Sequence, residues 1–145
     1  MRLAISLATR GRPQQVVDTI RRSIVNWSHP DTTMYVQLDH DDPASCEHLK
    51  RAGFGERVVI DVRERELTVA EKWNRILTQE PAADVYSVAA DDDPYVTPGY
   101  DDKILEASKR FPDGIGMVYG SMANLSLTGS LSMTTKLADK LGYLQ

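Results

Sequence analysis

Short apolar runs alternate with segments of helical periodicity along this chain, and that alternation constrains the fold more than any other feature. Residues 3–8 form a nearly continuous apolar run, which is typical of a strand buried on both faces. Pro13 suits the first turn of a helix. Val16, Ile20 and Ile24 then recur at a helical spacing. Strands and helices that alternate with short connections predict an α/β fold with a mostly parallel, helix-covered sheet.

The same patterns predict the remaining elements. Further strands are expected over residues 33–38, 58–62, 85–90 and 115–119, and short helices over residues 44–52 and 136–141. Residues 125–133 carry no clear pattern, so no element is predicted there.

Two more helices are predicted from their first residues. Thr68 opens a Thr-x-x-Glu capping box, so a helix is expected to begin there and to end before Pro81. Thr97 and Pro98 form a cap followed by a proline, which predicts a helix that runs to about Arg110.

Length, charge and cysteine content exclude several classes of protein. A chain of 145 residues predicts a single domain with its own core. The 17 Lys and Arg residues against 21 Asp and Glu residues give a net charge of −4, so no nucleic-acid partner is expected. Cys46 is the only cysteine, which suits a reducing compartment. No apolar stretch reaches the length of a membrane span, so no transmembrane segment is predicted and a cytoplasmic location is expected.

Polar residues cluster where the predicted strands end. The clusters comprise residues 9–12, 39–42, 63–65 and 91–93. Parallel sheets bind ligands at the carboxyl ends of their strands. The sequence therefore predicts a ligand site at this edge of the sheet.

Three consecutive carboxylates, Asp91, Asp92 and Asp93, follow the predicted fourth strand. They repel one another, and a divalent cation relieves that repulsion. Mg²⁺ and Mn²⁺ prefer oxygen ligands, and Mg²⁺ is usually held by one or two carboxylates together with substrate phosphates. Asp91 and Asp93 are the candidate metal ligands. The alternative is a solvated acidic turn.

The other clusters carry candidate ligand contacts with structural alternatives. Asp39 either accepts N–H donors of a base or ribose hydroxyls, or belongs to a turn before the next helix. Arg10 and Arg12 flank a glycine before a helix start, where a phosphate could bind, or are surface arginines. Lys72 and Asn74 either contact phosphate or sugar or form a solvated helix face. The helical stripe makes Trp73 a core residue.

Five stretches of the chain occur in the order found in one known enzyme family. They are residues 5–13, 37–39, 71–74, 88–100 with its Asp-x-Asp pattern, and 137–143 with its Leu-Gly-Tyr ending. The chain thereby resembles the family-2-like glycosyltransferases, which have the GT-A fold, a Rossmann-like fold of nucleotide-diphospho-sugar transferases.

The resemblance implies transfer of a sugar from a nucleoside-diphosphate sugar, of the uridine type, to an acceptor that remains unidentified. Asp91 and Asp93 would hold Mn²⁺ or Mg²⁺ on the diphosphate, and Asp92 would lie close to the metal or the ribose. A metal stabilises the negative charge that grows on the leaving diphosphate.

The resemblance also implies roles for the other loops. Thr9 and Asp39 would contact the ribose and the base. Arg10, Arg12 or Lys72 would help to neutralise phosphate charge.

This chain departs from the family pattern at its end. Family domains continue beyond the Gly142-Tyr143 stretch into a region with the acceptor site and, in inverting members, the general-base carboxylate, whereas this chain ends at Gln145. The expectation is a domain that is incomplete at its C-terminus, and no catalytic residue is assigned.

Three functions remain open from the sequence. The first is a metal-dependent glycosyltransferase-type domain, and the second is a non-catalytic UDP- or nucleotide-binding protein on the same fold. The third is a receiver-like signalling domain, although such domains carry an acid pair where Thr9 and Arg10 stand.

Overall fold

The computed structural model describes residues 1–121 and 128–144, and its sheet carries the architecture. Four strands run parallel: β1 (Leu3–Ala8), β2 (Thr32–Asp39), β3 (Val58–Arg63) and β4 (Val85–Ala90). With β5 (Met117–Ser121) and β6 (Thr128–Thr134), the described residues form a six-stranded sheet in the order β3-β2-β1-β4-β6-β5. β6 is antiparallel to β4 and to β5. The predicted α/β fold with a mostly parallel sheet is confirmed.

The strand order also decides against one of the open functions. Receiver-like domains have the doubly wound order 2-1-3-4-5, in which the first strand lies between the second and the third. Here β1 lies between β2 and β4. The receiver-like alternative is therefore wrong.

Helices cover both faces of the sheet. The described helices are α1 (Pro13–Ile24), α2 (Pro43–Ala52), α3 (Val69–Asn74), α4 (Ile76–Gln79), α5 (Tyr100–Ser108) and α6 (Thr135–Leu141). One core cluster includes side chains of α1, α2 and α5, and the other includes side chains of α4 and α6. In the part of the chain that is described, no helix combines the length and the apolar character needed to cross a bilayer.

β1 lies at the centre of both core clusters. Leu3, Ile5 and Leu7 are fully buried in the cluster beneath α1, and Ala4 is fully buried in the opposite one. The continuous apolar run therefore does mark a strand that is buried on both faces.

The helix that was predicted from Thr97 begins three residues later and ends at Ser108. Gly99 is the N-cap residue, and its φ of 64° lies in the left-handed region, which glycine adopts without a steric penalty. Its N–H donates to Asn26 O at 2.8 Å, so the chain makes a turn before α5 begins.

The helix that was predicted from Thr68 is divided in two. The capping box is present, because Thr68 Oγ1 accepts from the Glu71 N–H while the Glu71 carboxylate accepts from the Thr68 N–H. α3 ends at Asn74, and α4 begins at Ile76. Between them the Arg75 N–H bonds to Lys72 O, a tightened turn of the i to i−3 type.

β6 was not predicted, and β5 lies two residues later than expected. Residues 125–127 of the unpatterned segment lie outside the described residues, but from Thr128 the chain is a strand. β6 has few apolar residues and is held by backbone pairing with β4 and β5, with Ser132 Oγ donating to Ser87 Oγ at 3.0 Å. Such pairing leaves no local periodicity in the sequence.

Candidate functional site

A cleft lies where the strand order reverses. The chain leaves β1 towards β2 and β3 and returns on the other side of β1 as β4. Ligands of open α/β sheets bind outside the carboxyl ends of the strands at such a reversal. The cleft has a volume of about 370 Å³ and is lined by residues from the loops after β1, β3 and β4, together with Asp39, Lys72 and Trp73.

The loop after β1 is tied to the start of α2. Gly11 has a φ of 67°, and its N–H donates to Asp42 Oδ2 at 2.7 Å. The other oxygen of Asp42 accepts from the Ser45 N–H at 3.3 Å and so caps α2. Asp42 therefore fixes the backbone between Arg10 and Arg12, which both line the cleft.

Asp91 is the best-anchored carboxylate of the acidic triplet. It is 7% exposed, and its Oδ2 accepts from the Thr9 hydroxyl at 2.7 Å. Its Oδ1 accepts from Arg12 Nη1 at 3.0 Å, and its backbone carbonyl accepts from the Thr19 hydroxyl at 2.7 Å. Arg12 Nη1 also reaches Asp92 Oδ2 at 3.3 Å. The loops after β1 and β4, 82 residues apart, are thus joined at the cleft.

Asp93 points elsewhere. It does not line the cleft, and its Oδ2 accepts from Ser130 Oγ on β6 at 3.4 Å. Of the two candidate metal ligands, the structure brings only Asp91 to the cleft wall, with Asp92 beside it.

Asp39 lies on the opposite wall in a cluster of cations. It is fully buried, and its Oδ2 lies 2.6 Å from Lys72 Nζ and 2.8 Å from Arg10 Nη1. Burial alone would raise the pKa of Asp39, but the hydrogen bonds from Lys72 and Arg10 outweigh it, so the pKa is lowered. Lys72 Nζ also donates to the backbone carbonyl of Thr9 at 3.4 Å. An ionised Asp39 therefore holds both cations at the cleft.

Arg10 has a second carboxylate partner. Its two terminal nitrogens donate to Asp41 Oδ1 and Oδ2 at 2.6 and 2.9 Å, a bidentate pair. The hydrogen bond from Arg10 lowers the pKa of Asp41 to about 2. Any anion at Arg10 would therefore have to compete with two carboxylates.

The loop after β3 forms a wall whose residues received no individual role from the sequence. Residues 65–69 line the cleft, and Leu67 is 93% exposed there. The signal was the polar run at the end of the third strand, residues 63–65. It gave a location but no role, because loop composition does not encode which side chains turn inward.

Trp73 and Asn74 differ from their predicted surroundings. Trp73 packs against the core beneath α4, as expected, but it also lines the cleft, and its indole N–H donates to Ala89 O at 3.0 Å. Asn74 does not line the cleft, and its Oδ1 accepts from the Leu144 N–H at 2.7 Å. Of the eight predicted nucleotide contacts, the structure brings seven to the cleft: Thr9, Arg10, Arg12, Asp39, Lys72, Asp91 and Asp92.

The described residues do not form a metal cage of protein ligands alone. No group of three or more His, Cys, Asp or Glu side chains among residues 1–121 and 128–144 is arranged to hold a metal ion. Asp91 and Asp92 are two adjacent carboxylates on an open cleft. That donor set fits an ion that completes its coordination with ligand oxygens and water.

Comparison with known proteins gives the fold. No protein-family model and no curated protein sequence matches the chain. A mannosyltransferase from Pyrobaculum calidifontis, in complex with GDP-Man and Mn²⁺, superposes with a TM-score of 0.82 at 10% identity, over 99% of this chain and 47% of that one. TarS from S. aureus superposes with a TM-score of 0.67 at 11% identity, over 100% of this chain and 50% of that one.

A third similar structure belongs to another class of transferase. The CMP:2-keto-3-deoxy-manno-octonic acid synthetase complexed with CTP has a TM-score of 0.64 at 11% identity, over 98% of this chain and 78% of that one. The present chain therefore has the GT-A-type fold of nucleotide-dependent transferases, and it spans about half the length of the mannosyltransferase and of TarS.

Proposed function

We propose that the chain binds a nucleoside-diphosphate sugar of the UDP type in this cleft, with Mn²⁺ or Mg²⁺, and transfers the sugar to an acceptor. One observation carries the proposal. The carboxylates of Asp91 and Asp92 and the cations Arg10, Arg12 and Lys72 line one cleft at the reversal of the strand order.

The cations supply the anion-binding half of the proposed site. Arg10 and Arg12 are about half exposed, with side-chain exposures of 39% and 51%, so both can turn towards a phosphate. The N-terminus of the twelve-residue helix α1 follows directly and adds its positive end. A diphosphate in the cleft therefore meets more than one source of positive charge.

The proposed metal ligands are Asp91 and Asp93. Asp92 already lies beside Asp91 at the cleft, whereas Asp93 contacts Ser130 and has to turn towards the cleft to bind the same ion. A divalent ion bound there supplies charge stabilisation for the diphosphate as a leaving group. Thr9 and Thr19 keep Asp91 in position through the hydrogen bonds described above. When that ion binds Asp91 it displaces Arg12, whose half-exposed side chain can then turn to the phosphates.

The proposed UDP type rests on the resemblance of the motifs, with Asp39 as the base-facing acid. Oδ2 of Asp39 is engaged by Lys72 and Arg10, and its buried Oδ1 has no hydrogen-bond partner among the described residues but lies 3.7 Å from Arg75 Nη2. The similar mannosyltransferase was solved with GDP-Man and the similar synthetase with CTP. Guanine and cytosine nucleotides are therefore the comparison set for any test of base preference.

One observation favours the alternative of a nucleotide-binding protein without transfer activity. Each carboxylate that lines the cleft already has a basic partner: Asp39 has Lys72, Glu66 has Arg75, and Asp91 and Asp92 have Arg12. None of these four is an unpaired carboxylate ready to act as a general base.

Thermal unfolding with UDP, GDP, CDP and their sugar conjugates tests the proposal, with each ligand added in the presence and absence of Mn²⁺. Ligands that bind only the native state raise its melting temperature by mass action. We expect the largest rise with UDP-sugars in Mn²⁺. Calorimetry on the Asp91→Asn, Asp93→Asn double variant should show an intact fold without Mn²⁺-dependent UDP binding. Retained Mn²⁺-dependent affinity would contradict the metal site.

A second measurement separates the two functions. Release of UDP from a bound UDP-sugar, followed over time, reports hydrolysis or transfer. Turnover supports the transferase, whereas tight binding without turnover supports the non-catalytic alternative.

A further inference from the structure

Arg75 is a buried cation that does not line the cleft. Its side chain is only 2% exposed, and it lies at the break between α3 and α4. A guanidinium keeps its charge at any physiological pH and is rarely buried unless it is paired. Its partners therefore indicate what this arginine does.

Those partners come from the strands and the loop that form one wall of the cleft. Arg75 Nη1 donates to Leu38 O at 3.0 Å, near the end of β2. Arg75 Nη2 donates to Glu64 O at 3.2 Å, and Nε donates to Glu66 Oε2 at 3.0 Å, both in the loop after β3. The guanidinium of Arg75 thus joins β2 to the loop after β3 through its hydrogen bonds.

The same guanidinium also lies behind Asp39. Arg75 Nη2 is 3.7 Å from Asp39 Oδ1, the oxygen that has no hydrogen-bond partner among the described residues. Lys72 and Arg10 hold the other oxygen. Asp39 is therefore placed between cleft-lining cations on one side and Arg75 on the other.

The other side-chain contacts of this loop are exposed. Glu64 has a side-chain exposure of 90% and meets His40 at 3.3 Å, and Arg65 has a side-chain exposure of 61% and lies 3.9 Å from Asp41. Exposed contacts of this kind contribute little to stability. The hydrogen bonds from Arg75 are the buried anchor of the loop.

We propose that Arg75 is a positioning residue of the cleft: its buried guanidinium fixes residues 64–66 and the rear of Asp39, so the wall that receives the nucleotide is formed before the ligand arrives. A preformed wall spares the ligand the entropic cost of ordering the loop. The effect on affinity rests on the proposed function, whereas the effect on the loop does not.

The test compares two arginines with the same chemistry in different places. Arg57 also donates to two backbone carbonyls, Thr32 O and His29 O, but at the opposite end of the sheet. Lysine keeps the positive charge but cannot donate to several acceptors with the fixed geometry of a guanidinium. Arg75→Lys and Arg57→Lys are therefore matched variants. Trypsin cleavage after Arg63 or Arg65, identified by fragment mass, measures the freedom of the loop.

We expect both variants to lower the melting temperature. Only Arg75→Lys should speed cleavage in the loop, by about tenfold, and raise the dissociation constant for UDP with Mn²⁺ by about tenfold, an effect of about 1.4 kcal/mol. Wild-type cleavage and affinity in Arg75→Lys, with a lowered melting temperature, would overturn the proposal and leave Arg75 a merely structural residue.

The role of Arg75 can still be tested if the wild-type protein binds no nucleotide or if Arg75→Lys does not fold. If the wild-type protein binds no nucleotide, the proposed function fails, and the cleavage rates alone decide whether Arg75 holds the loop. If Arg75→Lys does not fold, Glu66→Gln keeps the arginine and weakens one contact. Faster cleavage after Arg63, whose scissile bond keeps both of its flanking residues in Glu66→Gln, supports the anchor, and an unchanged rate overturns it.

Discussion

The guanidinium of Arg12 lies 3.0 Å from Asp91 Oδ1 and 3.3 Å from Asp92 Oδ2. A single guanidinium of the protein itself thus contacts two of the three consecutive carboxylates. The side chain of Arg12 is 51% exposed, so it can leave these oxygens to a stronger counterion. Arg12 and a divalent cation therefore compete for the same oxygens.

Removal of this arginine should affect metal and nucleotide in opposite directions. In Arg12→Ala, Mn²⁺ should bind the nucleotide-free protein about two- to fivefold more tightly, because the competing cation is gone. UDP should bind about tenfold more weakly in Mn²⁺, because a phosphate partner is lost. Calorimetric titrations at physiological salt measure both effects.

The control for that experiment is Arg51→Ala. Arg51 is an exposed arginine on α2 that does not line the cleft. It pairs with Glu47, four residues earlier on the same helix. The Arg51→Ala substitution should leave the affinities for Mn²⁺ and for UDP unchanged. Unaltered Mn²⁺ binding in Arg12→Ala would mean that Arg12 does not occupy the metal position.

Single substitutions in the acidic triplet distinguish the two possible partners of Asp91. Asp93 is the proposed ligand but contacts Ser130, while Asp92 lines the cleft beside Asp91. We expect Asp93→Asn to weaken Mn²⁺-dependent UDP binding by at least about tenfold and Asp92→Asn by less, because loss of a carboxylate ligand removes a charge from the metal shell. Both side chains are exposed, so neither melting temperature should change appreciably. The reverse ranking would assign the ion to Asp91 and Asp92.

Local patterns predicted the parallel strands and several helix ends well. The run at residues 3–8, Pro13 at the first turn of α1, and Gly142 as the left-handed cap of α6 all lie where the structure has them. Each depends on residues close in sequence: burial of a short run, a proline suited to a helix start, or a glycine suited to a positive φ. β6 depends instead on distant pairing partners, and no local pattern revealed it.

The candidate site also has features that local sequence predicted and features that depend on distant residues. Thr9, Asp39 and Asp91 were predicted because a strand end fixes their place at the sheet edge. Which way a side chain then turns depends on partners far along the chain, such as Ser130 for Asp93 and Leu144 for Asn74. Neither partner could be inferred from the sequence around the acid or the amide.

Trp73 should report ligand binding through its fluorescence. It lines the cleft, whereas Trp27 lies under the Arg57 guanidinium with its indole N–H donating to Tyr100 Oη. In Trp27→Phe protein, where Trp73 is the only tryptophan, titration with UDP and Mn²⁺ should give a saturable change in emission. In Trp73→Phe protein the remaining tryptophan should not respond, although calorimetry still detects binding. A response from Trp27 alone would place the ligand elsewhere.

Asp101 should make the stability of the fold depend on pH in the acid range. It is fully buried in the first turn of α5 and accepts hydrogen bonds from the backbone N–H groups of Ser28 and His29 and from the Thr32 hydroxyl. Burial alone would raise the pKa of Asp101, but these bonds outweigh it and lower the pKa below the ordinary value of 3.8. The stabilisation is therefore fully present above about pH 4 and is lost as the pH falls through the lowered pKa.

Asp101→Asn should consequently reduce the free energy of unfolding by about 2 kcal/mol at pH 7, because hydrogen bonds to a charged acceptor are replaced by weaker ones. Urea denaturation at pH 7 and pH 3 measures this, and the difference from the wild-type protein should shrink at pH 3. Asp18→Asn, on the exposed face of α1, is the matched control and should show no difference at either pH. A deficit in Asp101→Asn that does not change with pH would mean that the charge of Asp101 does not stabilise the fold and that only the shape of its side chain matters.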